Sequence, residues 1–444
     1  MNIELLKTYA LAILVGISLI LTYSLWSHTP NNETLEEEHL LDPSELNLGG
    51  TEETRKTLVQ PSHIIFKKWR DNYFGFANPE DKINLYEDMT SWVLYNFRVS
   101  DANGRPNVGD KNLVEMIFPV KLPMEIIPSL FTINNQDSYI VPENLYFQRV
   151  YITMDESDKS MTFIFLTVDG KQQLSADVNN TQKYELVDSI IRELNGLEEY
   201  VMLEPSEYPV YVPIQPTEMR KYTLRFNELP YTVLKNALFP DPSSVIENVT
   251  ADQILWYQDG PRSMQVFGGE TKMNMEYIMA QNVVRSPMTI LDIIDRSITT
   301  INGFKGWTHD YQLEQVNTTS NEIQYLMHYK GYPVFNLDNL SVIEQRFANN
   351  ELIEHRQPLY KLDFAGSVQY DIPPGNEVID KLKSGDYTYK VSDIQDIRIG
   401  YRLSLQIDET NNYVINLTPE WYIKVNNRWQ QFQTEEKLPN KGVS

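Results

Sequence analysis

The chain of 444 residues contains no cysteine, which removes disulfides, thiolate metal sites and a cysteine nucleophile together. An extracytoplasmic protein of this size without cystines fits a bacterium better than a secreted eukaryotic ectodomain. Histidine is scarce as well. The six, at His28, His39, His63, His309, His328 and His355, show no metal-ligand spacing such as H-E-x-x-H, so no metal site and no cofactor is expected. There is no G-x-S-x-G elbow, no G-x-x-x-x-G-K phosphate loop and no G-x-G-x-x-G fingerprint. Nor does any run of Lys and Arg relieve the net charge of -23, which sets 38 basic against 61 acidic residues. Such a field opposes phosphate backbones and anionic headgroups, so nucleic acid is a poor partner.

Among so many acids no catalytic pair is singled out. The acidic turn Asp155-Glu156-Ser157-Asp158 lacks the central Gly and terminal Glu of a calcium loop and reads as a solvated hairpin turn. Glycosylation-like triplets such as Asn248-Val249-Thr250 and Asn416-Leu417-Thr418 are common by chance in a chain rich in Asn. Trp421, Tyr422 and Trp429 sit at strand spacing and read as core or sheet-face residues rather than a sugar platform. No catalytic residue is assigned, and binding or regulation is expected rather than enzymatic activity.

What is present begins with one long apolar run. From Thr8 to Leu25 there is no charged residue over 18 positions, and Tyr23 and Trp26 stand at its outer end. That length crosses a hydrocarbon core, exceeds a signal-peptide apolar region and ends without a small-x-small cleavage site, so a retained transmembrane helix is expected. Lys7 precedes the run and Glu33, Glu36, Glu37, Glu38, Asp42 and Glu45 follow it, which places the amino terminus in the cytoplasm and the bulk outside a cell membrane crossed once. Within the span Ala12 and Gly16 form a small-xxx-small pair, and Ser18 and Thr22 lie four apart on another face. These are the patterns by which transmembrane helices approach or hydrogen-bond.

The outer part, with 27 Tyr and 24 Pro, favours short strands and turns. Its length suggests roughly two to four domains. The expected organisation is a cytoplasmic tip and span over 1–27, a tether over 28–60, and three outer domains over 61–205, 217–335 and 336–437. The fold class expected is α+β and sheet-rich, the last two domains being similar antiparallel-sheet-plus-helix units. Pro205, Pro209, Pro213 and Pro216 mark the first boundary. Hairpins are expected about Asp155–Lys159, Asp169-Gly170, Asp259-Gly260 and Asn349-Asn350. Helices are expected at 184–194, with Leu186, Val187, Ile190, Ile191 and Leu194 on one face, at 229–239, at 373–385, and at 286–303 with Ser286 as N-cap, Pro287 at the first turn and Gly303 as stop.

The stretches "LTYSLWSHTPN", "TLVQPSHIIF", "VEMIFPVKLPMEII", "LKNALFPDPSSV" and "IGYRLSLQ…LTPEWYI", in that order, resemble the YycH (WalH) family over essentially the whole chain. The resemblance implies a membrane-anchored accessory regulator of low-GC Gram-positive bacteria, partnered with YycI (WalI) and the sensor histidine kinase WalK (YycG). That kinase controls cell-wall metabolism through the response regulator WalR (YycF). It also implies three outer domains, the last two similar in fold to YycI, and a transmembrane helix that contacts the kinase, for which Ala12, Gly16, Ser18 and Thr22 are the candidate residues. The sign of regulation differs among relatives. The competing reading is a stand-alone extracytoplasmic binding module for a peptide or cell-wall fragment.

Overall fold

Short apolar and aromatic runs, several buried over four or more successive residues, build two large sheets. The computed structural model describes Val15 and residues 46–432 except 70, 71, 110, 135–143, 204–208, 216, 217, 268–270, 272, 281–285, 385–389, 409 and 410. The chain forms two units, Met1–Glu45 and Leu46–Ser444. In the first only Val15 is described, helical and exposed. The expected span over 8–26, with Ala12, Gly16, Ser18 and Thr22, lies otherwise outside the described residues. No helix among the described residues is long and apolar enough to cross a membrane.

The first sheet of the second unit contains β1 (His63–Lys68), β2 (Asn72–Phe76), β3 (Val93–Asp101), β4 (Leu113–Pro123), β5 (Thr132–Ile133), β6 (Tyr146–Asp155), β7 (Ser160–Thr167), β8 (Gln172–Val178), β9 (Leu197–Leu203) and β10 (Val210–Pro213). Their order is β10-β9-β2-β1-β4-β6-β7-β8-β3-β5, antiparallel except where β3 meets β5. The hairpins β6–β7 and β7–β8 turn at the expected places. Proline-bearing β10 ends the sheet, where a missing N–H costs no ladder bond.

The second sheet contains β11 (Met219–Glu228), β12 (Ile246–Val249), β13 (Leu255–Asp259), β14 (Arg262–Phe267), β15 (Asn274–Met279), β16 (Asp310–Asn317), β17 (Glu322–Tyr329), β18 (Tyr332–Phe335), β19 (Val342–Ala348), β20 (Glu351–Pro358), β21 (Tyr360–Tyr370), β22 (Ile394–Ile407), β23 (Tyr413–Val425) and β24 (Arg428–Gln431). Twelve run β12-β13-β14-β15-β20-β19-β17-β18-β22-β23-β11-β21, with β16 on β17 and β24 on β23. The β19–β20 turn has Asn349 and Asn350 both left-handed, at φ 47° and 67°, as a two-residue hairpin requires. The expected division at 335/336 falls inside this continuous sheet. β17 pairs β19, β15 pairs β20 and β18 pairs β22, because ladder bonds between distant strands satisfy edges that two separate sheets would leave open.

The described α-helices are α1 (Arg55–Leu58), α2 (Pro79–Thr90), α3 (Ile127–Leu130), α4 (Thr181–Glu193), α5 (Tyr231–Leu238), α6 (Ile290–Asn302) and α7 (Gly375–Lys383). In α4 the buried face is Tyr184, Val187 and Ile191, while Leu186 is exposed. Leu194 leaves the helix in the left-handed region, at φ 56°. Helix α6 starts later than Ser286. Its N-cap is Thr289, whose side chain accepts from Asp292 N. Asn321 takes Met288 N through Oδ1 and Ser286 O through Nδ2, so 286–288 is bound elsewhere and is not available to begin the helix.

The end of the expected tether is packed into the fold. Leu48, Leu58 and Val59 are buried, and Thr51 bridges to Trp307. Arg55 pairs with Asp295 on α6, and Asn302 of α6 binds Glu53 at both N and O, each at 2.9 Å. On the other side Tyr86 of α2 donates to Val59 O at 3.0 Å. Residues 46–60 are thereby held by elements of both sheet systems, and the largest cluster of buried side chains runs through both.

Candidate functional site

A chain of buried charges crosses between the sheets. Glu314 on β16 projects from the second sheet, and its Oε1 accepts from Lys424 Nζ at 2.6 Å and Trp429 Nε1 at 2.8 Å. Its Oε2 accepts from Arg398 Nη1 at 3.2 Å. Arg398 also donates through Nε to Asp396 Oδ2 at 2.7 Å, and Asp396 Oδ1 lies 3.2 Å from His63 Nε2 on β1. Strand alternation explains the grouping: 396 and 398 are two apart on β22 and share one face. The Trp429 ring lies 4.8 Å from the Arg398 guanidinium, a stacking geometry that stabilises a partly desolvated cation. Trp429 therefore does more than fill a sheet face. Trp421 and Tyr422 are core residues, the first donating to Pro373 O and the second stacked on Phe335 at 4.0 Å.

Burial and neighbours decide the protonation states. Burial would raise Asp396 and Glu314, but the Arg398 guanidinium beside the first, and Lys424 with Arg398 beside the second, hold both carboxyls below their ordinary values. Burial lowers His63 despite Asp396, so the imidazole is neutral at neutral pH. His328 and His355 are lowered by burial to about 3 and about 4.

A second cluster ties the proline-rich connection to the first sheet. Glu115 on β4 accepts from Arg149 Nη1 and from Tyr211 OH at 2.7 Å, and pairs with Arg105 at 3.1 Å. Arg149 Nη2 donates to Pro209 O at 2.8 Å. Between the clusters lies a polar cleft of about 430 Å³ whose walls include His63, Arg149, Tyr211, Asp396, Lys424 and Asn427. On the other side of His63 lies a smaller pocket of about 90 Å³. Clefts between packed substructures are common ligand positions.

The arrangement holds charge and joins sheets. Ser62, beside His63 in sequence, donates its hydroxyl to Ile117 O at 3.0 Å, and His63 Nε2 faces Asp396. Among the described residues no group of three or more His, Asp or Glu is placed to hold a metal ion. Of the residues singled out in sequence, Ala12, Gly16, Ser18 and Thr22 lie outside the described part. The grouping of His63 with Glu314, Asp396 and Arg398 has no sequence signal, since their separations along the chain leave no local pattern.

Comparison with known proteins agrees with this fold. The N-terminal domain model of YycH protein matches residues 4–196 and the C-terminal domain model matches residues 207–437. A Bacillus subtilis (strain 168) protein described as "Two-component system WalR/WalK regulatory protein YycH" is 21% identical, with 96% of each chain covered. The crystal structure of YycH from Bacillus subtilis superposes with a TM-score of 0.67 at 16% identity, covering 88% of this chain and 100% of that one. Matched through both domain models and sharing this sheet-rich α+β fold, the chain belongs to the YycH family.

Proposed function

We propose that this protein is a non-enzymatic, membrane-anchored regulator of a WalK-type sensor kinase, working with a YycI-type partner on cell-wall metabolism. The observation that carries the reading is the extent of the family match. It begins at residue 4 and so takes in the apolar segment from Thr8 to Leu25 as well as the folded part. In this reading the span crosses the cell membrane once, with the amino terminus inside and the bulk outside, and meets kinase or partner spans through Ala12, Gly16, Ser18 and Thr22. The docking of 46–60 on both α2 and α6 supports a mechanical link. A change in how the two sheet systems pack alters the anchoring of the segment that follows the span.

Regulation requires that the span bind two kinase arrangements unequally, since equal affinity shifts no population. The test replaces residues 8–26 by an unrelated apolar helix of equal length and measures transcription of wall-hydrolase genes alongside membrane abundance. Altered transcription at normal abundance is expected. Unchanged transcription would overturn the helix-contact part, and failure of a tagged protein to co-purify WalK and YycI would overturn the partnership.

A further inference from the structure

The small pocket beside His63 has features that the charge network does not use. Lys82 on α2 lines it from the first sheet system, and Gln312 on β16, His328 on β17 and Arg398 on β22 line it from the second. Among the described residues the Lys82 ammonium makes one hydrogen bond, to Ser62 O at 3.0 Å, and has no carboxylate within ion-pair distance. Glu198 is the one carboxylate of the lining. Asp310 acts on Lys82 through space, without an ion pair, and its own carboxyl is raised by burial to about 6. Lys82, Arg398 and Lys424 thus stand against the two buried carboxylates Asp396 and Glu314. Among the described residues Lys82 is the cation of this group without an ion pair, inside a chain whose net charge is -23.

Gln312 adds a second unused donor. Its side chain is 5% exposed and its Nε2 is buried with no hydrogen-bond partner. A buried donor left unpaired costs about 1–3 kcal/mol, so an occupant that accepts from it is favoured. The apolar walls Ile64, Ile397 and Ile399 lower the local dielectric and strengthen any charge pairing made there.

We propose that this pocket is a binding site for a small carboxylate, with Lys82 supplying the charge and Gln312 a hydrogen bond. Its size admits a carboxylate with few carbons. The carboxylate comes either from a free short-chain acid or from the carboxyl end of a peptide. Because its two donors belong to different sheet systems, the bound anion bridges them. Burial, then the Arg398 charge, brings the Lys82 ammonium down to about 8; it remains the cationic partner at pH 7 and becomes a reactive amine just above it.

The test uses the full chain in detergent micelles at pH 8, with Lys82 acylation by a water-soluble amine reagent followed by peptide mass spectrometry. Sodium acetate and N-acetyl-Ala-Ala are titrated against sodium chloride at matched ionic strength. Protection of Lys82 by at least fivefold with acetate or peptide, and not with chloride, is expected, together with a rise in the thermal midpoint. Stronger protection by acetate identifies a free acid, and stronger protection by the peptide identifies a peptide end. Gln312→Leu is expected to weaken protection at least threefold, and Lys82→Met to abolish the midpoint rise. Equal protection by chloride, or none by either carboxylate, overturns the proposal and leaves a pocket that holds water. The wild-type acylation result decides the matter even if a variant fails to fold.

Discussion

His63 Nε2 and Asp396 Oδ1 meet at 3.2 Å across 333 residues of sequence. One belongs to the first sheet and the other to the second, so the contact joins the amino-terminal and carboxyl-terminal parts of the fold. It also separates the polar cleft from the small pocket, since His63 lines both. Asp396 is in turn fixed by Arg398, and Arg398 by Glu314. The order of the chain therefore matters less here than the order of the charges.

Removing Glu314 leaves Arg398 and Lys424 buried with less than their full complement of anions. Breaking one partner out of a buried pair costs about 3–5 kcal/mol. Glu314→Ala is expected to lower the urea midpoint of unfolding accordingly at pH 7. Glu185→Ala is the control. Its pair with Lys159 lies on the surface and is screened by water, so it should leave the midpoint nearly unchanged.

Stability is expected to fall as pH drops below about 6.5. Burial lowers His63, and lowers His309, His328 and His355 to about 4, about 3 and about 4. The unfolded chain, with its histidines near 6.5, then binds more protons than the folded one between about pH 6.5 and 4. Each such histidine contributes up to about 1.4 kcal/mol per pH unit across that window and nothing above it. Asp310, raised by burial to about 6, and Glu344, also raised, act in the opposite direction. Urea midpoints at pH 7.0, 5.5 and 4.5 measure the balance. His355→Gln should flatten the curve, and a wild-type midpoint that does not move would contradict the assignment of neutral buried histidines.

The cap of α6 provides a local test. Thr289→Ala removes the oxygen that accepts from Asp292 N and should cost about 1 kcal/mol. Ser286→Ala touches only a 3.4 Å contact to Asn349, so thermal midpoints should order the variants with Thr289→Ala clearly lower. The reverse order would restore Ser286 as the helix start.

Asn302 holds both backbone groups of Glu53 and also accepts from Trp307 Nε1 at 2.7 Å. Asn302→Ala should loosen 46–60 more than the rest of the fold. Limited proteolysis, read by mass spectrometry, is expected to show faster cleavage within 46–60 while cleavage inside the sheets stays slow.

Much of the local structure was legible before any coordinates. The Asn349-Asn350 and Asp259-Gly260 hairpins follow from turn chemistry and alternation, which act over a few residues. The start of α6 was misread because two residues, Ser286 and Thr289, both qualify as caps. The choice between them lies with Asn321, which is distant in sequence and occupies the polar groups of 286–288. The exposed Leu186 has a similar origin: helical spacing names an apolar stripe, but the sheet beneath chooses which side of it to cover.

By itself the sequence determined the elements, the charge, the absence of thiol chemistry and the resemblance that pointed to the YycH family, because each is a property of composition or of neighbouring residues. Only the tertiary structure decided that β15, β17, β19 and β20 share one sheet across the expected division, that 46–60 is packed, and that His63, Lys82, Gln312, Glu314, Asp396 and Arg398 surround one junction. The physical reason is that charge pairing and strand pairing depend on distance in space, and a chain of ladder bonds can bring together residues that no spacing along the sequence connects.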